Sequence, residues 1–272
     1  MQTTRITDEN LGDFIPLLRN DEIFGINEDR YIGFGAYDED ENRPMAILVV
    51  DIFPEYVRII NLYTDPVYRK QGAASALLSI ITDNPEGENL PIYIISSNTE
   101  INVDFLSSRN FKEVESKYYY LSGNLGDMSK IPLKKDLKEG LVIKPINQVS
   151  NRELQKFLSH SPHDDFLEFP EIIVDKRRFS DGSIVCFREG KISALILMRE
   201  FDDFIQISWI YGTDYKSLYV IFSMVKSILL TDYSEKANIR FLLSNEKGRE
   251  TIQSILKNHE ELPIHIFKLS AD

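Results

Sequence analysis

The stretch Leu62–Ala74, LYTDPVYRKQGAA, joins an apolar strand to an apolar helix through a cationic turn. Pro66 ends the strand pairing, because proline has no backbone N–H to donate. Arg69 and Lys70 add positive charge directly before Gly72, which has no side chain to block an approaching group. The first N–H groups of a helix lack intrahelical partners and carry the positive end of the helix dipole. The stretch therefore predicts a backbone cradle for a phosphate or diphosphate.

The segments on both sides of this turn predict an alternation of strands and helices. Apolar and β-rich runs predict six strands in the first half, at 3–6, 31–37, 45–53, 57–64, 92–96 and 111–121. Ala73, Ala76, Leu77 and Ile80 fall at helical spacing after the turn. Further helices are expected through Phe14 and over 103–108.

Composition limits the classes of protein that fit. The 272 residues suit two domains of ordinary size. A net charge of −12 disfavours nucleic acid as a partner and weakly favours cationic small molecules or basic peptides. The single cysteine, Cys186, excludes an internal disulfide and a thiolate metal cluster. The N-terminus lacks the apolar core of a signal peptide, and no apolar run approaches the roughly 20 residues of a membrane span. We expect a cytoplasmic protein without a membrane partner.

The second half repeats the element order of the first. Between them, residues 122–140 hold three glycines and many charges without a sustained period, and predict a linker over 122–139. Tyr63-Thr64-Asp65 precedes one long helix and Tyr211-Gly212-Thr213-Asp214 precedes another, with the Thr-Asp pair 149 residues later. The expected domains are 1–121 and 140–272. An internal duplication is favoured over two unrelated domains.

The turn resembles the acyl-CoA-binding signature of the GNAT N-acetyltransferases, (Gln/Arg)-x-x-Gly-x-(Gly/Ala). Here the signature stands as Arg69-Lys70-Gln71-Gly72-Ala73-Ala74. The lead-in Leu62-x-Thr64-x-Pro66-x-x-Arg69 is similar to the family's Leu-x-Val-x-Pro-x-x-Arg, with threonine for valine. A later segment, Asn102-x-x-Phe105-Leu106-x-x-x-Asn110-Phe111, resembles the family's closing Ala-x-x-Phe-Tyr-x-x-x-Gly-Phe. The motifs cover residues 1–121, and the second half is similar in element order only. The resemblance implies an α+β fold of two GNAT-like domains, the second degenerate. Each domain would have a mixed, mostly antiparallel central sheet flanked by helices.

The resemblance also implies acetyl-CoA as cofactor and a small-molecule or peptide amine as acceptor. The pantetheine arm would lie along residues 60–64, and the N–H of Leu62 or Tyr63 would polarise the thioester carbonyl. Amides from Lys70 to Ala74 would hold the pyrophosphate. Asn98, just beyond a strand end, is a further cofactor contact or a plain turn asparagine. The implied cofactor-binding residues are Leu62, Tyr63, Thr64, Arg69, Lys70, Gln71, Gly72, Ala73, Ala74 and Asn98.

The proton-handling residues of the family are missing. Many relatives carry a glutamate base four residues before the leucine, where this chain has Arg58, and a tyrosine acid where it has Leu106. Asp51 and Glu55 are the replacement candidates for the base, although both also suit a solvated hairpin. Tyr63, or one of the tyrosines 118–120, is the candidate acid, although each also suits an amphipathic strand.

The second half has no comparable turn. Counting from the Thr-Asp pair, Ile221 takes the place of Gly72, and a bulky β-branched residue would close off the backbone. We therefore expect one cofactor site per chain. The second half would cover the acceptor side of the active cleft, as a subunit does in a dimer. The chain itself would be a monomeric pseudo-dimer or a homodimer.

Two other functions and one possible metal site are weighed against the acetyltransferase interpretation. A catalytically silent acyl-CoA-binding or sensor protein is favoured by the missing glutamate and tyrosine. An aminoacyl transferase of the related tandem kind is disfavoured by the short chain and the lack of a basic surface. His160 and His163 stand near Asp164 and Asp165, but without a second cluster they fit a solvated loop better than a metal site. No metal is expected.

Overall fold

A computed structural model describes residues 1–39, 43–83, 90–96, 102–133, 140–158, 176, 179–244 and 246–270. Within these ranges the chain forms two seven-stranded sheets flanked by helices. In each sheet one strand pair is parallel and the others are antiparallel. The predicted α+β fold with two mixed, mostly antiparallel sheets is confirmed. No helix in the described part of the chain is long and apolar enough to cross a bilayer.

The chain divides into two compact units. The first unit contains Met1–Ser116 and Ile264–Asp272, and the second contains Lys117–Pro263. The chain therefore passes from the first unit into the second and returns to the first at its end.

The first unit has its sheet strands in the order β1-β2-β3-β4-β5-β14-β6. These strands are β1 Gln2–Ile6, β2 Ile32–Asp38, β3 Arg43–Ile52, β4 Val57–Thr64, β5 Ile92–Ser96, β6 Lys112–Val114 and β14 His265–Leu269. The helices are α1 Leu11–Phe14, α2 Asn20–Asn27, α3 Ala73–Thr82 and α4 Val103–Ser108. One apolar cluster packs α3 and α4 on the sheet, and another packs α1 and α2 on it.

The second unit has the order β13-β7-β12-β11-β10-β9-β8. Its strands are β7 Tyr119–Asn124, β8 Leu141–Pro145, β9 Ile184–Arg188, β10 Lys191–Glu200, β11 Ile205–Gly212, β12 Asn238–Leu243 and β13 Glu260–Pro263. Its helices are α5 Asn151–Leu158, α6 Tyr215–Asp232 and α7 Glu246–Ile255. Short 3-10 helices lie at 15–17 and 66–68 in the first unit and at 125–127 and 146–148 in the second.

One inner strand of each sheet comes from the opposite half of the sequence. Strand β14, from the end of the chain, lies between β5 and β6, and β7 lies between β12 and β13. This corrects the predicted boundaries 1–121, 122–139 and 140–272. Residues 119–124 pair in the second sheet, and Leu125 and Met128 are fully buried in its core, so the start of the expected linker belongs to a folded unit. Alternation of apolar and polar residues in the sequence identifies a strand, but it does not identify the sheet that the strand joins.

The exchanged strand β14 should hold the first unit together. Phe267 is 2% exposed in the core that contains Leu48 and Leu77. Phe267→Ala is expected to lower the free energy of unfolding by about 3–5 kcal/mol through lost burial and a cavity. In hydrogen exchange, protection should fall first in β3 and β5.

The matched control is Leu121→Ala in β7, a fully buried residue of the second core. Its loss of protection should appear in β10 to β12. A Phe267→Ala variant that loosens β10 while leaving β3 protected would contradict the assignment of β14 to the first sheet.

Candidate functional site

Strand β4 separates from β5 after only three residues of pairing. The parallel ladder joins Val57–Ile59 to Ile92–Ile94, and within the described residues it goes no further. On its other edge β4 stays paired with β3 as far as Thr64. One edge of residues 60–64 is therefore outside the sheet ladder.

A bulge in β4 begins at the same point. The register with β3 jumps from Val49↔Asn61 to Val50↔Ile59, so Ile60 is the extra residue. Ile60 packs in the apolar cluster beneath α1 and α2, and the Asn61 side chain bonds to α2 on that same face. Leu62 packs in the opposite cluster, with α3. Two consecutive residues on one face mark a bulge, which bends the strand and interrupts regular pairing.

The bulged segment leaves particular backbone groups available. Asp65 N donates to Met45 O on β3 at 2.9 Å. In an antiparallel ladder, residues whose backbone groups face the partner strand alternate with residues whose groups face away. Tyr63 accordingly faces β3, while Leu62 and Thr64 direct their N–H and C=O groups to the side that β5 has left.

The turn after β4 is exposed and has two left-handed residues. Lys70 has φ 66° and Gly72 has φ 89°. Such residues in turns create concavities lined by N–H groups, which bind anions. A Cβ built on Gly72 would meet nothing within 4 Å, so the space above it is open. Arg69 and Lys70 are both exposed, and Arg69 Nε donates to Thr64 O at 3.4 Å.

Helix α3 begins at this turn without a side-chain cap. Its first intrahelical bond runs from Ala76 N to Gly72 O at 2.9 Å. The N–H groups of Ala73 and Ala74 precede that bond, and Gly72 at the N-cap has no side chain to accept from them. The site therefore combines an open strand edge with an uncapped helix start, which suits a ligand with a diphosphate and an extended amide-bearing arm.

The second unit repeats the split strand. Within the described residues, strand β11 pairs with β12 only over Ile205–Ile207, and its register with β10 shifts so that Ser208 is the extra residue. Ile205–Ile207 lies 148 residues after Val57–Ile59, the same pairing segment of the first unit (57 to 205). The two units therefore share the bulge and the early loss of parallel pairing.

The helix start of the second unit is closed by its own carboxylate. Only residues 213–214 separate β11 from α6, whereas 65–72 separate β4 from α3. The Asp214 side chain accepts from Ser217 N at 3.0 Å and from Ser217 Oγ at 2.8 Å, and it pairs with Arg188. Partial burial by itself raises the pKa of Asp214, but the Ser217 hydrogen bonds and the Arg188 charge outweigh it and lower the pKa. A carboxylate of the chain thus occupies the position where an anion would bind.

The prediction that Ile221 replaces Gly72 is wrong. Ile221 lies inside α6 and is fully buried, and the residue at the N-cap is Asp214. Gly72 stands at the equivalent N-cap of α3. The error comes from the shortened turn, which shifts every position after β11 relative to the first unit.

Solved structures match the fold over the full chain. A tandem GNAT protein from the clavulanic acid biosynthesis pathway, solved without AcCoA, matches with a TM-score of 0.71 at 9% identity, over 100% of this chain and 99% of that one. The chain has the tandem GNAT fold. A putative acetyltransferase from Pyrococcus horikoshii matches with a TM-score of 0.62 at 12% identity, over 100% of this chain and 89% of that one. A probable N-acyltransferase from Enterococcus faecalis matches at 0.56 and 9% identity, over 100% of this chain and 72% of that one. No protein-family model and no curated protein matches the sequence.

The buried position of Asp51 does not suit a base. Asp51 is fully buried, and Arg58 Nη2 donates to its Oδ2 at 3.0 Å from a side chain that is itself 6% exposed. Arg58, at the usual position of the GNAT base, also lies over the Phe53 ring at 5.3 Å. The two residues form a buried ion pair across β3 and β4, and Asp51 is not retained as a base.

The other two predicted catalytic residues, Glu55 and Tyr63, lie at opposite ends of β4. Glu55 is exposed in the β3–β4 turn, and the strand from Val57 to Leu62 alone spans about 16 Å. A carboxylate beyond that strand does not reach the Leu62 backbone, so Glu55 is not retained either. Tyr63 is 37% exposed and lies at the open segment, on the face of α1 and α2. It is the candidate acid that lies on the open segment itself.

The other GNAT positions have structural roles. Leu106 is 4% exposed in the core beneath α4. Asn110 has φ 64°, a left-handed conformation that asparagine tolerates, which explains how it replaces the family's glycine. Tyr119 and Tyr120 belong to β7 of the second unit, where Tyr120 OH donates to Gln206 at 2.9 Å. Asn98, His160 and His163 lie outside the described residues.

Sequence reasoning missed the contact between Glu22 and Asn61. Glu22 is fully buried at the start of α2, and Asn61 Nδ2 donates to its Oε2 at 3.2 Å. The signal was present, because Ile59-Ile60-Asn61-Leu62 places two apolar residues in a row and then a polar one, which breaks strand alternation at the bulge.

The Asp214 cap should stabilise the second unit in a pH-dependent way. Since its folded pKa is lowered, the charge contributes stability above the ordinary aspartate pKa of 3.8, and this is lost as pH falls through the folded pKa. Asp214→Asn keeps the cap but removes the charge, and is expected to lower the free energy of unfolding at pH 7 by about 0.3–1 kcal/mol.

Urea unfolding at pH 7 and pH 3 measures this difference, which should shrink in acid. Asp181→Asn, an exposed residue of the same unit, is the control and should change stability by less than about 0.5 kcal/mol. An equal loss for Asp214→Asn at both pH values would contradict the role of the charge.

Proposed function

We propose that this protein is an acetyl-CoA-dependent N-acyltransferase with one cofactor site per chain, in the first unit. The observation that carries the proposal is the open edge of β4 directly beside the uncapped start of α3. In the second unit the same edge is present, but Asp214 caps the helix. A site that needs both features exists only once in the described residues.

The residues at the turn fit the charge and shape of a diphosphate. The N–H groups from Lys70 to Ala74 would bind its oxygens, and Arg69 and Lys70 would balance its charge. Gly72 would allow close approach, since among the described residues none beyond its chain neighbours lies within 4 Å of its absent Cβ. The outward backbone groups of Leu62 and Thr64 would pair with the pantetheine amides, as an added strand does.

The chemistry needs a polarised carbonyl and a path for protons. When bound, acetyl-CoA supplies an activated acetyl group to an amine, with a C–N bond formed as the C–S bond breaks. The outward N–H of Leu62 would donate to the carbonyl oxygen as negative charge develops there, whereas Tyr63 N–H faces β3. Tyr63 would supply the proton for the departing thiolate, and solvent would receive the proton of the amine.

The acceptor that we propose is a small-molecule or peptide amine. The protein carries a net charge of −12, which attracts cationic molecules over a distance. Asp13 and Asp21 add acidic groups on α1 and α2, the elements that face Asn61 and Tyr63.

A second candidate is an acyl-CoA-binding protein without turnover. The observation that favours it is the Asp51–Arg58 ion pair, which fills the usual base position with structural residues. Leu106, in the core, likewise leaves no phenol at the usual acid position.

Thiol release separates the two functions. Purified protein is incubated with acetyl-CoA and a panel of n-butylamine, phenethylamine, spermidine and lysine amide, and free CoA is measured. An acyltransferase should release thiol faster than the amine-free control for at least one of them. Binding of acetyl-CoA by calorimetry without amine-dependent release would support the silent binder instead.

Gly72→Val should weaken acetyl-CoA binding at least tenfold, because a branched side chain would stand where the diphosphate approaches. Gly190→Val is the matched control, since Gly190 also has a left-handed φ of 73° and nothing within 4 Å of its absent Cβ. Both variants carry similar backbone strain. Equal affinities in the two variants would contradict the cradle.

A further inference from the structure

A buried carboxylate on α2 holds the side chain of the bulge residue Asn61. Glu22 Oε2 accepts from Arg19 N at 3.0 Å and from Asn61 Nδ2 at 3.2 Å, and Oε1 accepts from Arg19 Nε at 2.8 Å. Glu22 is fully buried, so its position is set by these donors and by the helix. The carboxylate is ion-paired with Arg19, and both of its oxygens accept hydrogen bonds.

The acceptor character of Glu22 determines the orientation of the Asn61 amide. An ionised carboxylate accepts hydrogen bonds and does not donate, so the NH₂ group of Asn61 must face it. The Oδ1 atom then lies on the other branch of the amide. Asn61 is half-buried and directly precedes Leu62, whose N–H points to the edge that β5 has left.

We infer that Asn61 is a further substrate-contacting residue: its Oδ1 accepts an N–H from the attacking amine, and Glu22 is a positioning residue that fixes the amide. This inference rests on the proposed acyltransferase function and names the group that meets its acceptor. Asn61 and Tyr63 lie on the α1 and α2 face, whereas Leu62 and Thr64 carry the backbone groups assigned to acetyl-CoA. The amine would thus approach from the side of α2.

Asn61 orients the amine without taking its proton. An amide oxygen accepts a hydrogen bond but is not basic near neutral pH, so the proton still leaves to solvent. The bond would direct the nitrogen lone pair away from Asn61, toward the acetyl group next to Leu62. Holding the two reactants in this geometry is a recognised contribution to rate.

A reciprocal exchange of the two side chains tests the link. Asn61→Ala removes the acceptor atom, and Glu22→Gln allows the Asn61 amide to turn over. Asn61→Asp places two carboxylates in contact. In the double variant Glu22→Gln/Asn61→Asp, the amide introduced on α2 donates to the carboxylate introduced on β4, whose other oxygen again faces the amine.

The three single variants are expected to lower kcat/KM about tenfold, which corresponds to the loss of one hydrogen bond. The value is measured with the most active of the four amines n-butylamine, phenethylamine, spermidine and lysine amide. The Kd for acetyl-CoA should stay within about twofold of the parent in all three variants. The kcat/KM of the double variant should recover to within about threefold of the parent value. It should also fall more in acid than that of the parent, because the carboxylate introduced on β4 can be protonated. Asn238→Ala, on β12 of the second unit, is the control and should leave kcat/KM unchanged.

A second readout does not depend on turnover. In the complex with CoA, the side-chain NH₂ resonances of Asn61, assigned by their loss in Asn61→Ala, should shift when n-butylamine is added, and Glu22→Gln should change their chemical shifts before addition. Unshifted resonances together with parental kcat/KM in Asn61→Ala would overturn the inference while leaving the acyltransferase intact. Lack of rescue in the double variant would overturn the role of Glu22. Absence of thiol release with all four amines would overturn both this inference and the proposed transfer.

Discussion

The early loss of pairing between β4 and β5 is the constraint on which the candidate site depends. The extra residue Ile60 turns two consecutive side chains to one face, and the parallel ladder stops at Ile59. A strand that remained paired would have no backbone group to offer a ligand, since nearly all such groups in sheets are satisfied. Here the unpaired edge keeps its support, because β4 stays bonded to β3 along its length.

Both units lose the pairing of their parallel strands at the same point, so the difference between them lies at the start of the following helix. A longer turn in the first unit carries two left-handed residues and ends in an uncapped helix. The shorter turn of the second unit brings Asp214 to the N-cap, where it satisfies Ser217 and meets Arg188. A fixed carboxylate at the positive end of a helix gives stability there at the expense of anion binding. The two similar units therefore differ in their helix starts, one without a side-chain cap and one capped by Asp214.

Buried charge in the first unit is organised around two pairs with different consequences. Asp51 and Arg58 neutralise each other within the sheet, and their burial suits a structural role. Glu22 is buried at the start of α2 and pairs with Arg19, whose side chain is 46% exposed, and Glu22 also holds Asn61 at the bulge. The first pair includes Arg58, which stands where the GNAT resemblance implies a base, while the second connects a helix to the open segment of β4.

The sequence by itself determined the strand, turn and helix over 57–82 and most of the other elements, because proline, glycine and side-chain periodicity act locally. It did not predict α2, and it predicted one strand over 111–121, where β6 and β7 lie in different sheets. It also indicated one cofactor site per chain. Only the tertiary structure decided that β7 joins the second sheet and β14 the first, that Asp51 is buried against Arg58, and that Glu22 contacts Asn61. These facts depend on pairing between residues far apart in the chain, and the local pattern of an apolar strand is the same whichever sheet it joins. The Ile221 error has the same origin, since a turn six residues shorter (65–72 against 213–214) shifts the alignment.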